Sequence, residues 1–174
     1  FQPTKAGDAR GRDEAGGQQA WQIARRLALS NAEGDFLRTL IEHRDRLTIM
    51  VEAPIPPDRR AIYQFYQQTG LVGVAVVLLA IAIAASSHGE KVASDDWQAC
   101  LGVSKGLLSA WWDAHEDVVD PPLMLDGNDL QREFGLKPGA RIGALLGALR
   151  EAQASGEVGD KEQARAFIRR GLKD

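Results

Sequence analysis

Most reactive chemistry needs groups that this sequence largely withholds. Its single cysteine, Cys100, excludes an internal disulfide, and a lone thiol inside a helical pattern, without a base and an orienting group, reads as inert core rather than as a nucleophile. Such cysteine usage fits a reducing compartment, with the cytoplasm as the default. The three histidines, His43, His88 and His115, lack the paired spacing on one helix face that zinc ligation uses, so no metal site is expected. His115 lies on an inner helical stripe and reads as a hydrogen-bonded boundary residue, while His88 sits in a polar turn and reads as solvated. His43 with Asp45 forms an isolated HxD, but no adjacent His-Asp pair occurs anywhere, and a surface role outweighs a metal role.

Nucleotide chemistry is equally unsupported from within. There is no GxxxxGK[ST] loop and no Gly-Ser followed by a DxD carboxylate pair to hold magnesium, so no catalytic residue is assigned to this chain. Sustained strand alternation is missing too, which leaves an all-α class. No apolar run reaches the roughly 20 residues of a bilayer span. The longest, LVGVAVVLLAIAIAA from Leu71 to Ala85, has fifteen uncharged residues. It reads as a central helix buried on all sides, with no membrane partner.

What is present is helical patterning of ordinary composition, with 44% hydrophobic and 26% charged residues and a net charge of −3, enough to bury a core in one or two domains. The charge is unevenly spread: 10 basic and 9 acidic residues over 1–70, 2 and 8 over 71–127, and 9 and 7 over 128–174. A polyanion partner therefore has to be argued locally.

Residues 1–17, rich in Gly, Asp, Arg and Gln, read as a flexible N-terminal segment of a piece cut from a longer polypeptide. The helical pattern begins at Trp21, Ile23, Ala24 and Leu27. Ser30 with Glu33 forms a capping box opening a second helix, lined by Phe36, Leu37, Leu40, Ile41 and Leu47 and stopped after Ala53 by Pro54, Pro56 and Pro57. Asp58 caps a short helix with Ile62, Phe65 and Tyr66 on one face, closed at Gly70. Ser94 caps a long helix whose stripe of Trp97, Leu101, Leu108, Trp111, His115 and Val118 runs to Pro121 and Pro122. The expected division is a helical body over 18–120 and a small helical tail over 123–174. In the tail, Leu130 and Phe134 mark one helix, Ile142, Leu145, Leu146 and Leu149 a second, and a box of Asp160 with Gln163 opens the last, with Ala164, Phe167, Ile168 and Leu172 inward.

The one local signal for a polyanion is NDLQREFGLKPGARIGALLGALR, Asn128 to Arg150. Gly135 can end one helix, and Pro138 with Gly139 can begin the next. The amides of Gly139, Ala140 and Arg141 would then be unpaired at a positive helix end, with Lys137 and Arg141 beside them and Arg132 and Arg150 extending the track. From the residues alone the plainer reading, a tight turn with solvated cations, outweighs a phosphate site.

The same tail carries a resemblance. Gly127, Asp129 and Leu130, then Gly135, Leu136, Pro138 and Gly139, then Ile142 and Gly143, and finally Gly156, Glu157 and Val158 are similar to the tail signature of the tRNA nucleotidyltransferase and poly(A) polymerase family. Upstream, ARRLALSNAEGDFLRTLIEHR and RRAIYQFYQQTG resemble the helices that follow the metal-binding part of that family's HD-type domain. Together the resemblance covers most of Gln18 to Leu172 and implies HD-like body helices followed by the helical tail. Where relatives often carry a second histidine beside the first, this chain has Arg44 after His43, which counts against phosphohydrolase activity. The resemblance implies a parent enzyme that adds nucleotides, CCA or A, to RNA 3′ ends, with magnesium, ATP and CTP in a head domain lying before Phe1. The present helices would hold the acceptor end and elbow of a tRNA through phosphate and 2′-hydroxyl geometry. Carried to residues, Lys137, Gly139, Arg141, Arg132 and Arg150 are the phosphate contacts, with Arg165, Arg169 and Arg170 as weaker candidates. Two other readings stay open. One is an HD-type metal phosphohydrolase fragment centred on His43. The other is a helical interaction module, including an oligomer, built on Leu71 to Ala85 and Trp97, Trp111 and Trp112.

Overall fold

A computed structural model describes residues 6–53, 55–88 and 95–172. Residues 1–5, the Pro54 helix stop, the Ser94 cap and the side chain of His88 lie outside that description. The class is all-α: among the described residues there is no strand, and the helices are α1 (Ala6–Arg26), α2 (Asn31–Glu42), α3 (Arg46–Glu52), α4 (Arg59–Thr69), α5 (Gly73–His88), α6 (Asp95–Asp113), α7 (Gly127–Phe134), α8 (Ala140–Ser155) and α9 (Lys161–Gly171). A 3-10 turn, Gly70–Val72, joins α4 to α5, and a π-helical turn, His115–Val119, follows α6. Contacts gather into two units, one of residues 1–56 with 68–108 and the other of 57–67 with 109–174.

In the first unit α1 pairs with α2, and small residues let it. A Cβ on Gly16 would sit 3.2 Å from Ile41, one on Gly17 2.6 Å from the Glu42 carboxylate, and one on Gly34 3.1 Å from Trp21. The glycines that read as a flexible lead-in are thus contact residues, and the chain is helical from Ala6 onward. Of the apolar residues expected to face inward on α1, Ala24 is buried while Ile23 and Leu27 are exposed.

The Ser30–Glu33 capping box forms as expected, with the Glu33 amide donating to Ser30 Oγ and the Ser30 amide to Glu33 Oε2 at 2.8 Å. The single helix expected to run on to Ala53 is two, broken at residues 43–45, where His43 donates its backbone N–H to Thr39 and Ile41 and ends α2. Phe36, expected inside, is exposed.

α5 is not buried on all sides. Gly73, Val76, Val77 and Ala80 are buried, whereas Leu71 just before it, together with Leu78, Ala82, Ile83 and Ala85, is exposed. The continuous helical stretch Arg59–Ser86 contains a window of mean hydropathy 2.4, of which 28% is buried, long and apolar enough to cross a membrane by length and composition. On α6 the buried stripe is Cys100, Ser104, Leu107 and Ala110, offset from the expected Trp and Leu stripe, which is only half-buried. Leu107 has no exposed surface, the smaller Cys100, Ser104 and Ala110 are buried beside it, and the Ser104 hydroxyl finds no hydrogen-bond partner among the described residues. The helix also stops short of the prolines, at Asp113, and gives way to the π turn in which Asp120 donates its N–H to the His115 carbonyl at 2.8 Å.

The second unit is built round Leu125, Leu130, Ile142, Leu145, Leu149, Val158, Ala164 and Ile168, with Leu136, Leu146 and Phe167 half-buried against them. The N-terminal part of α4 belongs here because its polar face grips α8. Arg59 donates through Nε to the Ala154 carbonyl (2.9 Å) and through Nη2 to that of Asp117 (3.0 Å), and Arg60 pairs with Glu157 at 2.9 Å. Its apolar face buries Tyr63, Phe65 and Tyr66. Burial lifts the Tyr66 hydroxyl to about 12, and its ring packs 5.0 Å from Trp111. His115 stacks edge-on to Trp111 and donates from Nδ1 to the Trp111 carbonyl at 3.1 Å, the hydrogen-bonded boundary histidine that its place on the inner stripe leads one to expect.

Candidate nucleic-acid interface

The helix that leads into the turn before α8 is capped at both ends. Asp126 and Asp129 form a reciprocal capping box, with the Asp129 amide donating to Asp126 Oδ1 at 2.8 Å and the Asp126 amide to Asp129 Oδ2 at 3.1 Å. Gly135, left-handed at φ 67°, closes α7 by donating its N–H to the Gln131 carbonyl, a conformation that favours glycine. Leu136 then dips into the core and fixes the turn.

α8 starts at Gly139, which has no side chain to cap it. The Ile142 amide donates to the Gly139 carbonyl at 3.1 Å. Among the described residues no protein acceptor takes the amides of Gly139, Ala140 or Arg141, and all three residues are exposed. Unpaired donors at a helix start carry partial positive charge and suit an anion.

Of the five residues assigned to phosphate contact, Lys137, Gly139 and Arg141 come together at this helix start. Lys137 is exposed, and Arg141 reaches back with Nη2 to the Leu172 carbonyl, 3.3 Å away, tying the start of α8 to the end of α9. Arg169 and Arg170, exposed in the last turn of α9, lie within one helical turn of that carbonyl. The other two are engaged elsewhere. Arg132 is paired with Asp129 one turn back on its own helix. Arg150 is half-buried at the far half of α8, about 13 Å along its axis from Arg141, and pairs with Asp120 at 3.2 Å. The structure therefore gathers a compact cationic corner where the sequence suggested a long track. Its α9 members were the weaker candidates because only the antiparallel fold brings that helix end back beside residue 141.

Arg165 is not a free cation either. It grips the Glu133 carboxylate with two donors, Nε at 2.8 Å and Nη2 at 3.2 Å, clasping α9 to α7. That bond, with the charge behind it, holds the Glu133 carboxyl below its ordinary range. A depressed carboxylate contributes stability above its unfolded pKa and loses it as the pH falls through the folded one. Thermal melts from pH 7 to pH 2 should therefore show an acid-side loss that is smaller in Glu133→Gln, and identical profiles would rule the clasp out. The Asp160 and Gln163 pair caps α9 in part. Asp160 Oδ1 accepts from the Gln163 amide at 2.8 Å, but Gln163 Oε1 takes the Gly159 N–H rather than that of Asp160, so the reciprocal box does not form.

His43 and Asp45 sit in the break between α2 and α3, and Asp45 faces Arg44 at 3.6 Å. Among the described residues no three His, Cys, Asp or Glu side chains converge as metal ligands.

No family model matches the chain, and no solved structure does. Curated proteins do. The chain is 29% identical over 160 residues, 92% of its length, to the A-adding tRNA nucleotidyltransferase of Deinococcus radiodurans, and spans 35% of that protein. It is 34% identical over 131 residues, 72% of its length, to the CC-adding tRNA nucleotidyltransferase of Thermus thermophilus, and spans 25% of it. It thus covers about a third or less of the length of these relatives. The resemblance drawn from residues 125–158 is accordingly one of descent, and the chain is a homologue of a segment of the tRNA nucleotidyltransferase family.

Proposed function

We propose that this chain is the RNA-binding C-terminal region of an enzyme that adds CCA or A to tRNA 3′ ends, the nucleotidyl transfer residing in a head domain outside these residues. The observation that carries the reading is the open start of α8, with exposed amides at Gly139, Ala140 and Arg141 beside Lys137, in a chain homologous to two tRNA nucleotidyltransferases. Several residues of the tail signature have plain folding roles. Leu130, Ile142 and Val158 are core, Asp129 completes a capping box, and Gly156 closes α8. Gly143 has none: it is exposed, with open space where a Cβ would stand. A bare helix surface next to free amides suits the close approach of a phosphate backbone.

Magnesium, ATP and CTP belong to the head in this reading, and the cytoplasm is where tRNA is met. Likeness to an A-adding and a CC-adding enzyme alike fits a segment that grips the acceptor end and elbow without choosing the nucleotide. Oligomerisation through the body helices is a companion proposal, supported by the uncovered apolar flank of α5 at Leu78, Ala82 and Ala85.

The test is a fluorescence titration of the chain with tRNA at several salt concentrations. Binding should weaken with salt, and Lys137→Ala with Arg141→Ala should reduce affinity about tenfold and flatten the log–log salt slope by roughly 0.7–0.9 per phosphate lost. Arg132→Ala and Arg150→Ala should change it little, their charges being already paired. Absence of binding at low salt, or an unchanged slope in the double variant, would overturn the assignment.

A further inference from the structure

The first unit holds a cavity of about 380 Å³ that the RNA-binding reading does not use. Its floor is apolar, with Leu47 from α3, Ala80 from α5 and Cys100 from α6 all buried, Val51 half-buried and the exposed Ile83 at the rim. Its mouth is acidic, lined by Asp45, Glu52 and Asp96. Arg44 stands 3.6 Å from Asp45 and balances that carboxylate, so among the described lining residues Glu52 and Asp96 set the net charge. Glu52 is the last residue of α3, where the helix dipole already favours a cation and disfavours a carboxylate. An exposed acid in that place is unhelpful to the helix and useful to a positively charged visitor.

We propose that this cavity binds a small amphiphilic amine, its carbon body on the apolar floor and its ammonium between Glu52 and Asp96. The volume lies within the range of small-molecule pockets, and an apolar floor with a few charged groups at one end is how such pockets fix orientation. A neutral molecule of the same shape gains the floor but not the mouth, and an anion is repelled by it.

The whole chain is titrated with 4-phenylbutylammonium, with 4-phenylbutanol as the neutral isostere and 4-phenylbutyrate as the anion, following backbone amide shifts of Thr48, Val51, Ala84 and Asp96. The rate at which a small thiol reagent modifies Cys100 is read in parallel. The ammonium is expected to saturate these shifts and slow Cys100 modification. The alcohol should bind about fivefold to tenfold more weakly, the order expected of two solvent-facing ion pairs. Glu52→Gln with Asp96→Asn, both exposed and neutral to the core, should erase the preference for the ammonium while leaving alcohol binding and the melting temperature in place. Unsaturable shifts, equal binding of amine and alcohol, or a preference that survives the double variant would each overturn the proposal.

Discussion

Replacing Leu149 with alanine is expected to destabilise the 57–67/109–174 unit by about 2–5 kcal/mol, the range for deleting a fully enclosed leucine side chain and leaving part of its volume empty. Leu149 has no exposed surface and lies in the cluster with Leu125, Leu130, Ile142, Leu145, Val158, Ala164 and Ile168, a core to which α7, α8 and α9 all contribute. Against a domain stability of about 5–15 kcal/mol such a loss is large. A urea titration followed by helical circular dichroism should show the midpoint falling with little change in slope. Ala148, next in the chain and exposed, is the control: Ala148→Ser should move stability by no more than about 0.5 kcal/mol. A Leu149→Ala loss below about 1 kcal/mol would show that α8 does not pack as described.

That core was legible in advance because Ile142, Leu145 and Leu149 repeat at helical spacing and the structure buries all three. Capping was legible for the same kind of reason: Ser30 with Glu33 and Asp58 before Arg59 are local signals, and both form. The failures have other causes. Gly16 and Gly17 look like part of a flexible lead-in in a one-dimensional pattern, yet both lie in α1 where an added Cβ would crowd α2. The α6 stripe misleads for a different reason, since its Trp and Leu residues advertise one face while Cys100, Ser104, Leu107 and Ala110 are the buried ones. The break at 43–45 carries neither glycine nor proline to announce it.

The candidate site was partly visible. Gly135, Pro138 and Gly139 mark a turn between helices, and the helix start behind them is open. Which cations serve it was mostly not visible, because apart from the local i,i+3 pair of Arg132 with Asp129 the pairing is a tertiary property. Arg132 and Arg150 are drawn to Asp129 and Asp120, and Arg165 to Glu133 across 32 residues. Sequence spacing orders cations along the chain, whereas only the return of α9 toward α8 decides which of them stand beside the free amides.

Gln153 illustrates the same limit and carries the second large effect. It is 7% exposed and ties down the proline-containing stretch before Leu125: Nε2 donates to the Pro122 carbonyl at 2.8 Å, and Oε1 accepts from the Met124 amide at 3.2 Å. One carboxamide thus satisfies a part-buried acceptor and a part-buried donor that no helix ladder serves. Gln153→Leu keeps much of the volume but removes the partner of both backbone groups, and because both are only part-buried the cost lies toward the low end of about 1–3 kcal/mol each, about 2 kcal/mol in all. Gln153→Glu sharpens the test. Only its protonated form can both donate to Pro122 and accept from Met124, so folding should raise that carboxyl's pKa. By linkage, a carboxyl with a raised folded pKa contributes stability at low pH and loses it as the pH rises through that pKa. Urea midpoints of Gln153→Glu should therefore be higher near pH 4 than near pH 7, opposite in sign to the Glu133–Arg165 clasp. A Gln153→Leu protein as stable as the parent, or a Gln153→Glu protein that gains stability toward neutrality, would mean that the 121–125 stretch is held by something other than this amide.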